Sequence, residues 1–282
     1  MNCNKAIKTL KELEELVRSR QQKGRIAAVM PDDEATQEAL RKIEAEGMGT
    51  VINISHEEPE QAAREAVALI KSGKADVLMK GLIGTDQLLR AVLNKEDGIL
   101  PKGHVLTHMA VAEIPNYHKL LYFTDAAVIP YPTHEQRIEQ VRYAAKMCHA
   151  LGIDEPRIAL THCAEHGGKQ FPFVDGYADI KRMAEEGAFG KCLVDGPMDI
   201  KTACSLEALK AKRMTSPLNG EADVLIMPDI EAGNTLYKAL TFFVPAKTAG
   251  LLCGAETPVV VPSRGDSAEA KYHSMLLALA SL

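Results

Sequence analysis

The stretch Val259-Val260-Val261-Pro262-Ser263-Arg264-Gly265-Asp266-Ser267-Ala268-Glu269-Ala270 decides how this chain is read. Its three valines form a β-branched run that fits a buried strand, and Pro262 stops it. A short polar turn follows, and residues 268–282 carry an apolar stripe at helical spacing. Asp266 or Ser267 is the expected N-cap, its side-chain oxygen accepting an orphan N–H of the first turn. The turn therefore aims free backbone N–H groups, the positive end of a helix dipole, the Arg264 guanidinium and the Ser263 hydroxyl at one point. Such a point suits phosphate or another oxyanion. A capped helix with a surface arginine accounts for the same residues, and this stretch alone leaves both readings open.

The strand-then-helix alternation extends outward through almost the whole chain. The first half predicts strand 25–30, helix 33–46, strand 50–54, helix 59–71, strand 76–79 and helix 85–94. Repeated β-α units argue for an α/β fold with a parallel sheet and right-handed crossovers. Residues 105–114 and 119–124, parted only by Pro115-Asn116-Tyr117, are expected as an antiparallel pair added to that sheet. A second series starts after Pro130-Tyr131-Pro132: helix 133–151, strand 157–161, helix 175–186, strand 192–194, helix 198–212, strand 223–227 and helix 231–243. Strands 249–253 and 259–261 and the last helix close the chain. No repeat of 20–50 residues is visible.

At 282 residues the chain is near the size at which single cores divide, so two domains are expected. The formal charge is −5, with acids and bases interspersed, and there is no tryptophan. Neither a basic block nor a stacking platform suggests nucleic acid. Residues 1–20 read as an amphipathic helix with Ile7, Leu10, Leu13, Leu16 and Val17 on one face, not as a secretion signal or a membrane span. The six cysteines (Cys3, Cys148, Cys163, Cys192, Cys204, Cys253) include no Cys-x-x-Cys pair, so reduced core thiols in a cytoplasmic protein are expected.

Several short motifs have two readings. Lys80-Gly81-x-x-Gly84-Thr85 lies between a strand and a helix, where backbone N–H groups can point at an anion; a tight turn explains the glycines equally well. It is not a Walker A loop. Asp195-Gly196-Pro197 and Pro228-Asp229-x-x-x-Gly233-Asn234 follow apolar runs, where ligands gather in α/β proteins, yet turns need these residues anyway. His104-x-x-x-His108 spans too far along a strand for close chelation. His162-Cys163-x-x-His166 is better placed for zinc but has no evident fourth ligand, so no metal site is expected.

Ser263-Arg264-Gly265 after an apolar strand resembles the signature of the phosphate acetyl/butyryltransferase family. Further blocks follow in the family's order. They are Lys80-Gly81-Leu82-Ile83-Gly84-Thr85 running to Leu89-Arg90-Ala91-Val92-Leu93-Asn94, then Tyr117-His118-Lys119-Leu120-Leu121 into Phe123-Thr124-Asp125, then Val194-Asp195-Gly196-Pro197, Glu221-Ala222-Asp223-Val224-Leu225 and Pro228-Asp229-Ile230-Glu231-Ala232-Gly233-Asn234. The wording at Lys80-Gly81 and His118–Leu121 is closer to the butyryl branch. The resemblance covers the chain from about residue 25 onward.

The resemblance implies two α/β domains, isocitrate/isopropylmalate dehydrogenase-like, with parallel-rich sheets flanked by helices and an inter-domain cleft. The domains would be residues 1–130 with 255–282, and residues 131–254. It implies transfer of an acyl group between CoA and phosphate, with CoA and acyl-CoA as substrates, no separate cofactor, and a homo-oligomer of at least two subunits. By the same resemblance Arg264 holds phosphate, Arg90 and the Lys80–Thr85 loop contact substrate, and Ser263 bonds the thiol, the carbonyl or the developing charge; Asn234, in the segment after an apolar strand, is the best candidate there for a cofactor or substrate hydrogen bond. The acetyl branch carries an aspartate seven residues after the serine; here Ala270 stands there, leaving Asp266 and Glu269 as candidate bases. Where the acetyl branch has a second arginine this chain has none, and Lys80, His118 or Lys119 could supply the charge. A non-catalytic acyl-CoA-sensing module of the same fold is the alternative, and a metal-dependent dehydrogenase a more distant one.

Overall fold

The computed structural model describes residues 6–282. Its elements in chain order begin α1 (Leu10–Ser19), β1 (Gly24–Val29), α2 (Glu34–Ala45), β2 (Gly49–Ile54), α3 (Pro59–Lys71), β3 (Val77–Lys80), α4 (Thr85–Val92), β4 (Thr107–Glu113) and β5 (Leu121–Thr124). They continue α5 (His134–Ala150), β6 (Arg157–Thr161), α6 (Tyr177–Glu185), β7 (Leu193–Met198), α7 (Ile200–Cys204), α8 (Leu206–Ala211), β8 (Val224–Ile226), α9 (Ile230–Phe242), β9 (Lys247–Cys253), β10 (Val259–Val260) and α10 (Ala268–Ala280). The chain is mixed α/β.

Two compact units emerge among the described residues, one of Thr9–Leu106 with Lys247–Leu282, the other of Thr107–Ala246 with residues 6–8. These bounds differ from residues 130 and 254, the borders expected from the sequence. The reason is hydrogen bonding: β5 pairs in parallel with β8, Tyr122 opposite Val224 and Thr124 opposite Ile226. The antiparallel β4–β5 pair expected from the sequence is present, Ala110 opposite Phe123, and both strands belong to the second unit.

In the first unit the strands run β2-β1-β3-β10-β9. The first four are parallel, and β9 is antiparallel to β10. Both flanks of α10 are covered, and every residue from Lys271 to Ala280 is buried. Burial of that kind contributes about 1.5–3 kcal/mol for each large apolar side chain, so Met275, Leu276, Leu277 and Leu279 anchor the unit. In the second unit the order is β4-β5-β8-β6-β7, with all but β4 parallel.

Local chemistry explains the helix starts. Asp33 caps α2, Thr133 and Gln136 form a capping box on α5, and Ser267 rather than Asp266 caps α10, accepting from Ala270 N at 3.2 Å. The predicted helix 198–212 divides into α7 and α8, because Ser205 takes an extended backbone and its Oγ accepts from Ala208 N. Asp195-Gly196-Pro197 lies within β7, not in a turn after it. Gly196 is required there: its φ is +149°, and a Cβ would sit 2.4 Å from Leu160 O. The N-terminal helix begins at Leu10, and Cys3 and the first residues of the expected helix lie outside the described residues.

Candidate active site

In the first unit the loops leaving β1, β3 and β10 start at one level. Register places Val29 beside Lys80 and Val260 beside Met79, so three parallel carboxyl ends meet. That edge is where open α/β sheets hold ligands. The loops knit together through backbone: Gly81 N donates to Val29 O at 2.8 Å and Leu82 N to Met30 O at 2.7 Å. Met30 itself has φ +52°, a left-handed conformation uncommon away from glycine. A Cβ on Gly81 would lie 2.1 Å from Met30 O, so this glycine is fixed by close backbone approach. We expect Gly81→Ala to cost about 1–3 kcal/mol through forced displacement of the Met30 backbone. Chemical denaturation measures this, and an unchanged midpoint contradicts the packing argument.

Lys80 ends β3 with 3% exposure, and its ammonium donates to Gly81 O at 3.2 Å. Burial first, then the positive charges of Arg264 and Lys271, pushes its pKa below the usual lysine range, with Asp33 opposing. Lys271, in the first turn of α10, is equally buried; its Nζ donates to Asp33 Oδ1 at 2.7 Å and Thr36 Oγ1 at 2.9 Å. Asp33 in turn accepts from Thr36 N at 2.9 Å and from the Thr36 hydroxyl at 2.6 Å. Burial alone raises the Asp33 carboxyl; the bonds from Lys271 and Thr36 outweigh it and bring the pKa to about 2.

The Ser263–Ser267 turn is closed by Asp266: Ser263 N donates to Asp266 Oδ2 at 2.7 Å, and Asp266 N to Ser263 O at 3.1 Å. The side chains of Ser263 and Arg264 are exposed on that turn. Glu269 faces β9, where Lys247 holds it at 2.8 Å; that bond is the main reason its carboxyl titrates below the usual range. Arg90 lies on the surface of α4 and pairs with Asp86 at 2.8 Å and Glu60 at 3.2 Å. Thr85 opens α4, whose Gly84 N–H is capped by Gln87 Oε1 at 3.1 Å.

The expected residues therefore divide. Lys80, Thr85, Arg90, Ser263, Arg264, Asp266 and Glu269 belong to the first unit, and the charge coupling of Lys80 with Arg264 joins two of their loops. Asn234 belongs to the second unit, where its Nδ2 donates to Ala126 O at 3.0 Å and Asp229 caps α9. Lys119 sits at the amino end of β5, paired with Asp223 at 2.5 Å, away from that strand's carboxyl end. His162 packs against Phe171 and Phe173, and burial holds it below its usual pKa.

Sequence reasoning missed three residues. Lys271 and Asp33 complete the charged cluster; the signal was a lysine inside a helix otherwise buried, four residues after a cap. The third, Asp125, follows β5 with 1% exposure. Its carboxylate accepts from Thr107 Oγ1 at 2.8 Å and from the N–H groups of His108, Ala127, Val128 and Ile129 at 2.7–3.2 Å. It shapes the loop at the carboxyl end of β5, on which the α9 start rests: a Cβ on Gly233 would lie 2.0 Å from Asp125 O.

What this cluster can do is grip an oxyanion with two cations, a hydroxyl and the start of a 13-residue helix. A family model described as phosphate acetyl/butaryl transferase matches residues 7–279. The chain belongs to the phosphate acetyl/butyryl transferase family. A phosphate butyryltransferase of Clostridium acetobutylicum is 36% identical over 96% of this chain and 97% of its own length. A phosphate acetyltransferase of Thermotoga maritima is 37% identical over 78% of this chain and 74% of its own. Among solved structures, a branched-chain phosphotransacylase from Enterococcus faecalis superposes with a TM-score of 0.81 at 30% identity, covering 91% of this chain and 98% of that one. These relatives are acyltransferases, and this member of the family is one as well.

Proposed function

We propose that this phosphotransacylase converts acyl-CoA and phosphate reversibly to acyl phosphate and CoA, with phosphate held at the carboxyl ends of β1, β3 and β10. The observation that carries the reading is the convergence of the carboxyl ends of β1, β3 and β10, with buried Lys80 ending β3 and Ser263 and Arg264 on the turn between β10 and α10. Arg264 neutralises and orients the phosphate through paired hydrogen bonds. Lys80 lies buried at the end of β3 beside that phosphate, Ser263 bonds the thiol or the developing oxyanion, and Thr85 and Arg90, on the helix that follows β3, are further substrate contacts. Asn234 is a further candidate for a substrate hydrogen bond. Asp266 and Glu269 are the loop's carboxylate candidates for the thiol proton.

A donor at the oxyanion supplies a few kcal/mol, and alignment of two bound substrates removes roughly 7–11 kcal/mol of barrier. Direct transfer in a ternary complex therefore suffices, with CoA as substrate and no separate cofactor. The reading carries with it the isocitrate/isopropylmalate dehydrogenase-like layout, a homo-oligomer and a cytoplasmic setting. Likeness to a butyryltransferase over nearly the whole chain supports a short-chain acyl group.

The test is thiol release from butyryl-CoA by the purified chain, with and without phosphate. Release that requires phosphate and yields acyl phosphate is expected; release independent of phosphate contradicts the reading. Across acetyl-, propionyl-, butyryl- and valeryl-CoA, kcat/KM is expected to peak between three and five carbons. One methylene is worth about 1–3 kcal/mol in such a pocket, so the peak should stand about tenfold or more above acetyl. An acetyl optimum removes the butyryl assignment alone.

A further inference from the structure

We propose that Lys80 carries the proton between the CoA sulfur and the phosphate oxygen that bonds the acyl carbon. This rests on the phosphotransacylase reading and goes beyond it by naming the proton carrier. When CoA attacks acyl phosphate, the S–H bond breaks and neutral Lys80 takes that proton as the C–S bond forms. The C–O bond then breaks, and the Lys80 ammonium gives the same proton to the departing phosphate oxygen. In the opposite direction the proton passes from attacking phosphate to Lys80 and on to the departing thiolate. No proton is gained or lost over the cycle.

The carboxylates around this strand edge are already engaged. Asp33 accepts from Lys271 and twice from Thr36. Asp266 accepts from Ser263 N, and Glu269 is paired with Lys247. Their oxygens are committed to these hydrogen bonds and ion pairs, whereas the proton to be taken belongs to a thiol with an ordinary pKa of about 8.5. Lys80 is different. It is buried at the end of β3 with a hydrogen bond to Gly81 O. The groups that bear on it are Arg264 from the loop after β10, Lys271 from α10 and Asp33 from the loop after β1. Two of these three are cations, and together with burial they favour the neutral amine. A general base must be present in its unprotonated form, and a lowered pKa raises that fraction for a lysine. Lys80 ends the strand paired with β10, whose loop carries Ser263 and Arg264, so on the phosphotransacylase reading the proton has phosphate beside it.

The experiment is the pH dependence of kcat in the CoA-attack direction for wild type, Lys80→Arg and Lys80→Ala. Arginine keeps the charge and cannot release its proton. Lys80→Arg is therefore expected to lose about 100-fold or more in kcat, with KM for acyl phosphate within a few-fold and the acidic limb gone. Lys80→Ala is expected to regain at least about tenfold with small primary amines, in proportion to their free-base fraction. Lys80→Arg with near-normal kcat and an intact limb overturns the proposal, as does the absence of amine rescue in folded Lys80→Ala. Should either variant not fold, the wild type decides: the midpoint of its acidic limb must move with temperature as an amine does. A limb that stays fixed, as a carboxylate's does, overturns it. A wild type without phosphate-dependent thiol release removes the phosphotransacylase reading itself, whereas an active one with unaltered Lys80→Arg removes only the proton role.

Discussion

Arg264→Ala is expected to lower kcat/KM for phosphate roughly 100- to 1,000-fold, the loss typical of one preorganised donor at a developing charge. The apparent KM for phosphate should rise more than that for acyl-CoA. The reason is local: Arg264 is exposed on the turn before α10, close enough for its charge to act on Lys80, and its removal leaves the buried packing of α10 untouched. Initial rates with phosphate and acyl-CoA varied separately decide the matter. Near-normal phosphate saturation in a folded variant takes Arg264 out of this role.

Asp33→Ala is expected to destabilise the first unit by about 3–5 kcal/mol, because it strands the Lys271 ammonium in a buried site with Thr36 as its remaining partner. The same change removes the N-cap of α2. Lys271→Met in the same chain should recover much of the loss, since the buried charge goes with its partner. Acid dependence follows from the same pair. The folded Asp33 pKa is about 2, below the unfolded aspartate value near 3.9. Its stabilisation is therefore fully present above about pH 4 and disappears as pH falls through about 2. Denaturant midpoints between pH 2 and 5 should fall with pH in the wild type and flatten in that window for Asp33→Asn. An identical slope in both chains contradicts the pairing.

Much of the fold was legible because β-α alternation, caps and glycines act locally. The stretch 259–270 gave strand, turn and capped helix, with Ser267 the cap. Errors arose where partners decide. Residues 119–124 carry no mark of pairing with β8, so the unit border fell at 130 instead of 106. Ser205 looked like an interior helix residue until its backbone turned extended to cap α8. In the site, Ser263, Arg264 and Lys80 stood out by motif, and Arg264 and Lys80 are electrostatically coupled in the fold. Lys271 and Asp33 did not stand out, since their pairing spans 238 positions. Arg90 bore the right charge near the right loop, but which carboxylates claim it depends on α3 as well as α4.

The central claim is that phosphate binds where β1, β3 and β10 end. A crystal structure of the wild-type chain grown with saturating phosphate tests it most directly. Phosphate oxygens are expected within hydrogen-bond reach of the Arg264 guanidinium, Lys80 Nζ and the first-turn N–H groups of α10. Phosphate bound at a different place with Arg264 unengaged, or no bound phosphate at a concentration that saturates turnover, would contradict it.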